Sequence, residues 1–467
     1  MHKLLLTGAA TFAAALAFAE ITIVTPSADA VVPLLTDAQK AYVNLPQNAR
    51  REKFADSTFR GKEMGLPAEP VPGGQGTRAA FWPKTVTLGW TAEGTSFKVR
   101  VADAKTGVQV AELAWPGESG FTNGATRCVW VDNLEIARTY EWSVTDGKET
   151  VKSSFRTEDV APRLVRFPGV PNVRDLGGRI ALNGRRVRQG RVFRSAGLND
   201  NAHDVYYTNE ELEKSGRKAE LDAARNKAEA RLATLKAWQE NPGTMDRKDP
   251  EYAEWLTRHP NDPVAKFLSS RIERAKKTLR AGGDAKIVKG REAGKSRVAG
   301  ANGDYVRTRF GIRSDIDLRS DAECYGMTGS PLGETVTWFH YSSSAYGGMQ
   351  SPRGKKAFTQ VFKVFLDEKN YPIDFHCIAG QDRTGAVAFI LNALLGVNEN
   401  QLYLDWETTG FWNRSSNFNH ERLFDGLVKG FQKNYPAESL NASVEKYVLD
   451  LGFSSEDIAK FRDLMLE

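Results

Sequence analysis

Hydrophobic and polar residues alternate along three short stretches in the first third of the chain. Residues 85–90, 97–101 and 140–144 each carry apolar side chains at every second position, which is the period of a strand with one buried face. Turn residues separate these stretches, and short strands at such spacing are typical of a β-sandwich. The pattern therefore predicts an all-β sandwich domain over residues 80–160.

Farther along the chain the pattern becomes helical and then mixed. Apolar residues recur every three or four positions within 209–240, which predicts helix, and Asn241-Pro242-Gly243 marks its end. Strand-like segments lie on either side of the helical region, at 191–195 and 311–319. The alternation of strand and helix patterns predicts an α/β domain after the sandwich.

The residues before the sandwich fall into two parts. A basic start, an apolar run and Ala17-Phe18-Ala19 predict a signal peptide at 1–19, with a buried N-terminal helix as the alternative. We therefore expect an exported protein, periplasmic or secreted. Residues 20–79 are weakly patterned and become rich in Pro and Gly, which predicts an N-terminal segment and linker. No later apolar run approaches the roughly 20 residues of a membrane-spanning helix, so we predict no integral membrane span.

Composition narrows the class of protein only slightly. The 467 residues are 41% hydrophobic and 26% charged, which excludes a wholly disordered or collagen-like chain. The net charge of +6 permits an anionic substrate but does not argue for nucleic acid. Three cysteines are too few for a disulfide scaffold, and the odd number leaves at least one thiol unpaired within the monomer.

The strongest chemical signal is a ten-residue segment that begins at His376. A short strand pattern precedes Cys377, Arg383 follows six positions later, and an apolar helix pattern runs to Leu395. A loop of this kind aims backbone N–H groups and the positive end of a helix at a phosphate group. The same field lowers the pKa of a thiol and favours the nucleophilic thiolate. An arginine can donate two parallel hydrogen bonds to phosphoryl oxygens, which a lysine cannot match.

This arrangement predicts a phosphate-binding loop with a cysteine nucleophile. The glycines at 380 and 385 would allow close approach of the backbone or positive φ. The candidate phosphate-binding residues are Ile378, Ala379, Gly380, Gln381, Asp382 and Arg383.

The loop resembles the active-site loop of the cysteine-dependent protein tyrosine phosphatase superfamily. Segments 172–178, 190–198, 317–320 and 452–457 resemble the bacterial branch of tyrosine and phosphoinositide phosphatases. The strands of residues 80–160 resemble a fibronectin type III domain. Together the resemblances imply a central sheet flanked by helices for the phosphatase domain, preceded by the sandwich.

The resemblance also implies roles for the site residues. Cys377 would attack phosphorus and form a phosphocysteine, Arg383 would hold the phosphoryl oxygens, and Thr384 would hydrogen-bond the sulfur. Two aspartates are candidates for the general acid, Asp317 at the end of a predicted strand and Asp382 in the loop. We favour Asp317, for which a structural pairing with a nearby arginine is the alternative. Arg174 and Asp175 are expected to brace the sheet or the loop, and Asp405-Trp406-Glu407 is a candidate wall of the site.

Two departures from the family pattern are visible. Gln381 stands where bacterial members that accept phosphoinositides often carry Lys, so one cation for additional phosphates is missing. Leu198 and Asp317 are also farther apart than the family needs. We therefore interpret residues 209–304 as a helical insertion between two parts of the phosphatase domain, residues 161–208 and 305–467.

The sequence thus favours an exported phosphatase that hydrolyses phosphomonoesters of the phosphotyrosine type. The alternatives are an inositol phosphate or phosphoinositide phosphatase and, from another class, a phosphate-binding or interaction protein without turnover. The expected partner is a phosphorylated protein or a small phosphorylated compound. The six histidines show no metal-ligand spacing, so we predict neither a catalytic metal nor another cofactor.

Overall fold

The computed structural model of the protein describes residues 20–55, 83–258, 264–280, 288–412, 420 and 422–467. The predicted signal peptide and the Pro/Gly-rich part of the predicted linker lie outside these residues. The described residues belong to two compact units. One takes its residues from Met1–Asp200, Lys295–Asp321 and Met327–Glu467, and the other from Asn201–Gly294 and Ala322–Gly326.

The N-terminal part of the first unit contains two β-sheets and two helices. The elements are β1 (Thr22–Thr25), β2 (Ala30–Val32), α1 (Asp37–Val43), α2 (Gln47–Ala55), β3 (Val86–Thr91), β4 (Phe97–Asp103), β5 (Gln109–Trp115), β6 (Gly120–Asn123), β7 (Thr126–Val131), β8 (Thr139–Thr145) and β9 (Thr150–Thr157). One sheet has the order β1-β3-β7-β6 and the other β2-β9-β8-β4-β5. Neighbouring strands are antiparallel, except for the parallel pair β2–β9.

Burial along these strands follows the alternation in the sequence. Strand β4 buries Phe97, Val99 and Val101 and exposes the residues between them. Side chains from both sheets, including Trp90 of β3 and Trp142 of β8, join one hydrophobic cluster. The strands predicted at 85–90, 97–101 and 140–144 are therefore confirmed. We call residues 20–34 and 84–157 the β-module.

The segment predicted as weakly patterned has regular structure in its described part, residues 20–55. Strands β1 and β2 extend the two sheets, and α1 begins with a capping box formed by Thr36 and Gln39. The strands have only four and three residues, so the alternation along them is too short to stand out in the sequence. The Thr-x-x-Gln cap is a helix signal that the sequence analysis missed.

After the β-module the chain forms β10 (Arg174–Asp175) and β11 (Val192–Ser195) and then enters the second unit. This unit contains an antiparallel pair of strands and four helices in its described residues. They are β12 (His203–Tyr206), α3 (Asn209–Lys214), α4 (Lys218–Glu240), α5 (Pro250–Arg258), α6 (Val264–Arg280) and β13 (Val288–Glu292). Its hydrophobic cluster includes Leu235 and Trp238, two members of the predicted apolar stripe.

The boundaries of the second unit differ from those of the predicted insertion. The unit begins at Asn201, and its main segment ends at Gly294 instead of residue 304. The following helix α7 (Ala301–Phe310) belongs to the first unit, where Val306 is buried in one cluster with Phe193 and Leu198. The buried side of α7 therefore packs against β11, a strand of the sheet in the predicted phosphatase domain, which we call the phosphatase sheet. The charged residues of α7 concealed this buried side in the sequence.

The remaining strands of the phosphatase sheet follow α7. They are β14 (Ser314–Asp317), β15 (Thr337–His340) and β16 (Ile373–His376), and the full strand order is β10-β11-β16-β14-β15. Strand β10 is antiparallel to β11, and the other neighbours are parallel. Because parallel strands end at the same edge of a sheet, the last residues of β11, β16, β14 and β15 form one row.

Besides α7, the described part of this domain contains six helices. They are α8 (Pro352–Phe365), α9 (Arg383–Leu394), α10 (Glu399–Glu407), α11 (Lys429–Asn434), α12 (Leu440–Asp450) and α13 (Ser455–Met465). Helix α9 is buried on all sides after its first residue, so it forms the centre of the domain core. Across the described ranges, no helix combines the length and the apolarity that crossing a membrane requires.

Candidate active site

The candidate active site lies at the carboxyl end of the central strand of the phosphatase sheet. Cys377 follows β16 directly, and residues 377–382 form a loop that leads into α9. The last residues of the two neighbouring strands, Ser195 and Asp317, both pair with His376. Ligands of open α/β sheets bind outside the carboxyl ends of the strands, and the N-terminus of a helix favours anions.

Three consecutive carbonyl groups of the loop are held by donors that lie outside it. The Gly197 N–H donates to Ile378 O at 3.1 Å, the Asn172 amide to Ala379 O at 2.9 Å, and the Arg194 guanidinium to Gly380 O at 2.7 Å. In a trans peptide the N–H points away from the adjacent C=O. The N–H groups of residues 379–381 therefore point toward the inside of the loop, where they form an anion-binding concavity.

Gly380 is required by this loop conformation. Its φ is +64°, and a Cβ atom would lie 2.4 Å from the Ser195 carbonyl oxygen. A larger residue would be strained in its backbone and would collide with β11. At Gly385 a Cβ atom would lie 2.9 Å from the Trp406 side chain, so this glycine admits a close neighbour in the core.

Cys377 is suited to act as a thiolate. Its side chain is 2% exposed and forms no disulfide with the other two cysteines, both of which are described. Burial raises the pKa of the Cys377 thiol, but the Arg383 guanidinium and groups of Thr384 lower it by more than burial raises it. The net shift of the pKa is therefore downward. The buried Thr384 hydroxyl makes no conventional hydrogen bond within the described residues, which leaves it to interact with the sulfur.

Buried ionisable side chains line the sheet side of Cys377, and we call this group the floor. Its members are Asp315, Asp317, Arg319, Asp374 and His376, all fully buried. His376 Nε2 lies 2.9 Å from Asp315 Oδ1, and His376 Nδ1 lies 3.9 Å from Asp317 Oδ1. Burial lowers the pKa of His376, but the two carboxylates raise it to about 9. The imidazole is therefore a cation at neutral pH.

Asp317, the favoured general acid of the sequence analysis, is bound within the floor. Its two carboxylate oxygens accept hydrogen bonds from Arg319 Nε at 2.9 Å and Arg319 Nη2 at 2.6 Å. Burial raises the pKa of Asp317, but His376 and Arg319 lower it well below its usual range. A proton donor needs the opposite shift. The geometry therefore agrees with the alternative, a structural pairing with a nearby arginine.

Asp382, the second candidate, is half-buried at the start of α9. The Tyr346 hydroxyl donates to Asp382 Oδ1, and the Trp406 indole N–H donates to the Tyr346 oxygen at 3.3 Å. We call Asp382, Tyr346 and Trp406 the rim. The rim thus places a partly accessible carboxylate in the loop, and its charge raises the pKa of the Cys377 thiol.

Three arginines surround the buried carboxylate of Asp405 on the other side of the loop. They are Arg174, Arg179 and Arg194, and the closest contacts are Arg179 Nη2 to Asp405 Oδ1 at 2.9 Å and the pair of Arg194 with Asp405 Oδ2. Burial raises the pKa of Asp405, but the arginines lower it well below its usual range. Three cations against one anion leave an excess of positive charge, which favours an anion bound by the loop.

The expected bracing role of Arg174 agrees with these contacts. Its Nη1 donates to Asn172 Oδ1 at 2.6 Å, and Asn172 in turn donates to the Ala379 carbonyl. Asp175 lies farther from the loop and pairs with Arg163 at 2.7 Å. Arg163 also donates to the carbonyl oxygens of Asn133 and Leu134, which joins the phosphatase sheet to the β-module.

Three consecutive residues of α10 connect the site to distant parts of the chain. Asp405 binds the arginines, Trp406 binds Tyr346, and Glu407 accepts a hydrogen bond from Arg50 Nε of α2 at 2.6 Å. Phe54 of α2 also packs on Trp406, with ring centroids 6.0 Å apart. The candidate wall at 405–407 is therefore attached to the loop and to the N-terminal helices.

Two contributions to the site were missed by the sequence analysis. Tyr346 lies 36 positions before Asp382 in a segment of low periodicity, and no motif marks it. Arg50 is a single buried arginine in a segment that seemed to be a linker, and its partner Glu407 is 357 positions away. A charged residue on the apolar side of a short helix was the available signal for Arg50.

The chain matches a known protein family. The model of a family described as the tyrosine phosphatase family matches residues 165–253 and 290–467. These ranges cover more than half of the chain, so the protein belongs to the tyrosine phosphatase family. It is a protein-tyrosine-phosphatase-like phosphoric monoester hydrolase. A search of curated proteins finds no match to this chain.

The family match also limits the extent of the predicted insertion. The matched range continues through residue 253 and resumes at 290. Most of the predicted segment 209–304 is thus shared with the family, and residues 254–289 lie between the matched ranges.

Proposed function

We propose that this phosphatase hydrolyses phosphomonoesters of the phosphotyrosine type through a phosphocysteine intermediate. The main support is the orientation of the loop, whose carbonyls at Ile378, Ala379 and Gly380 are tied outward while Cys377 has a lowered pKa. Backbone N–H groups, a thiolate and Arg383 then converge on one point. This combination stabilises the charge of a transferring phosphoryl group.

In the first step the Cys377 thiolate attacks phosphorus. A sulfur–phosphorus bond forms, the ester oxygen–phosphorus bond breaks, and the leaving oxygen takes a proton from a carboxylic acid. In the second step water attacks phosphorus and gives a proton to the same residue, now a carboxylate. The sulfur–phosphorus bond breaks, inorganic phosphate forms, and the Thr384 hydroxyl stabilises the departing thiolate.

We assign the general acid to Asp382 in place of Asp317. Asp382 is half-buried and lies in the loop itself, where a proton can reach the leaving oxygen. Asp317 is fully buried and bound by both Arg319 and the charge of His376. The reaction needs a proton donor with access to both solvent and substrate, which favours Asp382.

Two features support an aryl phosphate over a phosphoinositide. Residues 376–385 contain one basic side chain besides His376, that of Arg383, which suits a single phosphate. Gln381 contributes no charge beside it. A substrate with several phosphates would need additional cations near the loop.

The proposal extends to the organisation and location of the protein. Shared burial between the two sheets of the β-module supports a β-sandwich of the fibronectin type III kind. Segments 172–178 and 317–320 support the bacterial branch of the family. The pattern of residues 1–19 supports export to the periplasm or the medium, where the substrate would be a phosphorylated protein or small compound.

The decisive experiment uses the full chain with a small aryl phosphate. We expect hydrolysis that vanadate inhibits and that falls to background in Cys377→Ser. Cys128→Ser, which changes a buried cysteine of the β-module, is the matched control and should retain activity. Retained hydrolysis in Cys377→Ser would overturn the proposed mechanism, and absence of any turnover in the wild type would favour a binding protein.

A substrate panel tests the second half of the proposal. We expect higher kcat/KM for a phosphotyrosine peptide than for any inositol phosphate or phosphoinositide. The reverse order would replace the substrate class and leave the phosphocysteine chemistry intact.

A further inference from the structure

The rim contains a directed chain of hydrogen bonds that ends on the loop. The Trp406 indole N–H can only donate, so the Tyr346 oxygen accepts from it. The single proton of the Tyr346 hydroxyl is then available to Asp382 Oδ1. An indole N–H can only donate and an ionised carboxylate can only accept, so both hydrogen bonds run from Trp406 toward Asp382 when its carboxyl group is ionised.

Tyr346 is held in place by more than this hydrogen bond. Its φ is +51°, a conformation that residues with a Cβ rarely adopt. The side chain is 8% exposed, and its ring packs edge-on against Trp406 with centroids 6.5 Å apart. Such a backbone conformation persists only where the surrounding structure imposes it, so the position of Tyr346 is set by its neighbours.

Trp406 is itself immobilised. It is 1% exposed and contacts Phe54 and His420 at ring-centroid distances of 6.0 and 5.3 Å. The missing side chain of Gly385 in α9 makes room for the indole. The chain of donors thus begins on a rigid part of the core and ends on the one loop carboxylate with access to solvent.

We propose that Tyr346 is a positioning residue that orients the Asp382 carboxyl group for proton transfer, with Trp406 fixing Tyr346. This inference rests on the proposed role of Asp382 as the general acid. A carboxyl group at the end of a half-buried side chain can rotate, and rotation moves its reactive oxygen away from the leaving group. With Oδ1 bound to Tyr346, the group has one preferred orientation, and Oδ2 is left for the substrate.

The test compares two substrates with different leaving groups in the full-length protein. Loss of a general acid slows the release of phenol strongly, whereas dinitrophenolate leaves without protonation. We expect Tyr346→Phe to lower kcat/KM for phenyl phosphate about 10- to 30-fold, a part of the 10²- to 10⁴-fold effect of general acids. For 2,4-dinitrophenyl phosphate the change should stay within about twofold. Tyr371→Phe, which removes a buried hydroxyl bonded to the Phe365 carbonyl, should leave both substrates unchanged.

Asp382→Asn separates failure of this inference from failure of the proposed function. If Asp382→Asn shows no dependence on the leaving group, the assignment of the general acid is wrong. If it shows that dependence and Tyr346→Phe lowers kcat/KM equally for both substrates, Tyr346 has a structural role only and the inference is overturned. In the double variant Tyr346→Phe/Asp382→Asn, we expect no loss beyond that of Asp382→Asn alone, because the tyrosine acts through the aspartate.

A second variant keeps the test valid if Tyr346→Phe does not fold. Trp406→Phe retains an aromatic ring and the Tyr346 hydroxyl but removes the donor that fixes it. We expect a loss of about three- to tenfold, again confined to phenyl phosphate. An equal loss for the two substrates in a folded Trp406→Phe protein would contradict the proposed chain.

Discussion

The floor and the rim both place carboxylates near Cys377, but these carboxylates differ in burial and in their hydrogen-bond partners. Asp317 in the floor is fully buried and bound through both oxygens to Arg319. Asp382 in the rim is half-buried, and the Tyr346 hydroxyl binds one of its oxygens. The floor therefore encloses Asp317 in an ion pair away from solvent, whereas the rim leaves the Asp382 carboxylate partly accessible.

This difference explains why residue type alone is a poor guide to the acid in such a site. Both aspartates are close to Cys377: Asp317 pairs with His376, the residue before it, and Asp382 follows it by five positions. Their partners distinguish them, because a carboxylate paired with a buried guanidinium is costly to protonate. The four variants that follow test this contrast.

The largest effect should come from breaking the floor. In Asp317→Asn the Arg319 guanidinium and the His376 imidazolium lose their shared anion, and we expect about 3–5 kcal/mol loss in the free energy of unfolding. Denaturant titration measures this loss, and kcat/KM should fall by the same factor for good and poor leaving groups. Asp321→Asn, at a side chain that is 95% exposed, is the control. Unchanged stability in Asp317→Asn would remove the distinction between floor and rim.

The next effect concerns the rim, where one substitution should lower the catalytic rate and also lower the pKa of Cys377. Asp382→Asn should lower kcat/KM for phenyl phosphate about 100-fold because the proton donor is lost. The same change removes a charge that raises the pKa of Cys377. Alkylation of Cys377 by iodoacetate should therefore extend to lower pH than in the wild type. A shift of the alkylation profile to higher pH would show that the Asp382 charge does not act on the thiol.

A smaller effect should appear in the pH dependence of stability, where Asp374 differs from the other members of the floor. Burial raises the pKa of Asp374 to about 7, although the His376 charge acts against the shift; the Ser195 hydroxyl donates to Asp374 Oδ2 at 2.8 Å. The native state keeps a proton that the unfolded chain releases near pH 4. The stability due to this proton is complete below about pH 4 and is lost as pH rises through about 7.

Asp374→Asn should flatten that part of the pH profile. Between pH 4 and pH 8, we expect the unfolding free energy of the variant to decline less than that of the wild type, by up to about 4 kcal/mol. The decline toward pH 9 should persist, because His376, whose pKa is about 9, is retained. Asp463→Asn, at an exposed site, serves as control, and parallel profiles for wild type and Asp374→Asn would contradict the assignment.

The smallest effect should come from Thr384, whose groups lower the pKa of the Cys377 thiol. Thr384→Val removes the hydroxyl with little change in shape. We expect about a fivefold drop in kcat, corresponding to a hydrogen bond of roughly 1 kcal/mol to the departing thiolate. The effect on kcat/KM should be smaller, since attack precedes departure, and phosphocysteine should accumulate in rapid-quench measurements. An equal fall in kcat and kcat/KM would place the hydroxyl in the first step.

Local pattern was sufficient to predict the loop and much of the β-module. The strand before Cys377, the glycine at 380 and the apolar helix after Arg383 are contiguous, so their chemistry is visible in one segment. The alternation in β4 and β8 reflects one buried face and needs no knowledge of the partner sheet. Strands β1 and β2 were missed because, with four and three residues, they are too short for their alternation to be recognised.

The partners of the site residues could not be predicted in the same way. The sequence contains Asp317 and Arg319 two positions apart, but whether their side chains meet depends on the path of the chain after β14. Tyr346 has a left-handed backbone conformation, with a φ of +51°, that no local sequence pattern predicts. Arg50 and Glu407 meet across most of the chain. Such pairings are decided by tertiary packing, which single-sequence patterns do not contain.

The attachment of α10 to α2 also bears on how this protein can be rearranged in evolution. Residues before the β-module's third strand supply Arg50 and Phe54 to the wall that carries Trp406, and strands β1 and β2 belong to the β-module itself. The N-terminal segment is thus shared between two folds that look separable along the chain. A recombination event at residue 80 would exchange neither part cleanly, so the β-module and the phosphatase domain are expected to be inherited as one piece.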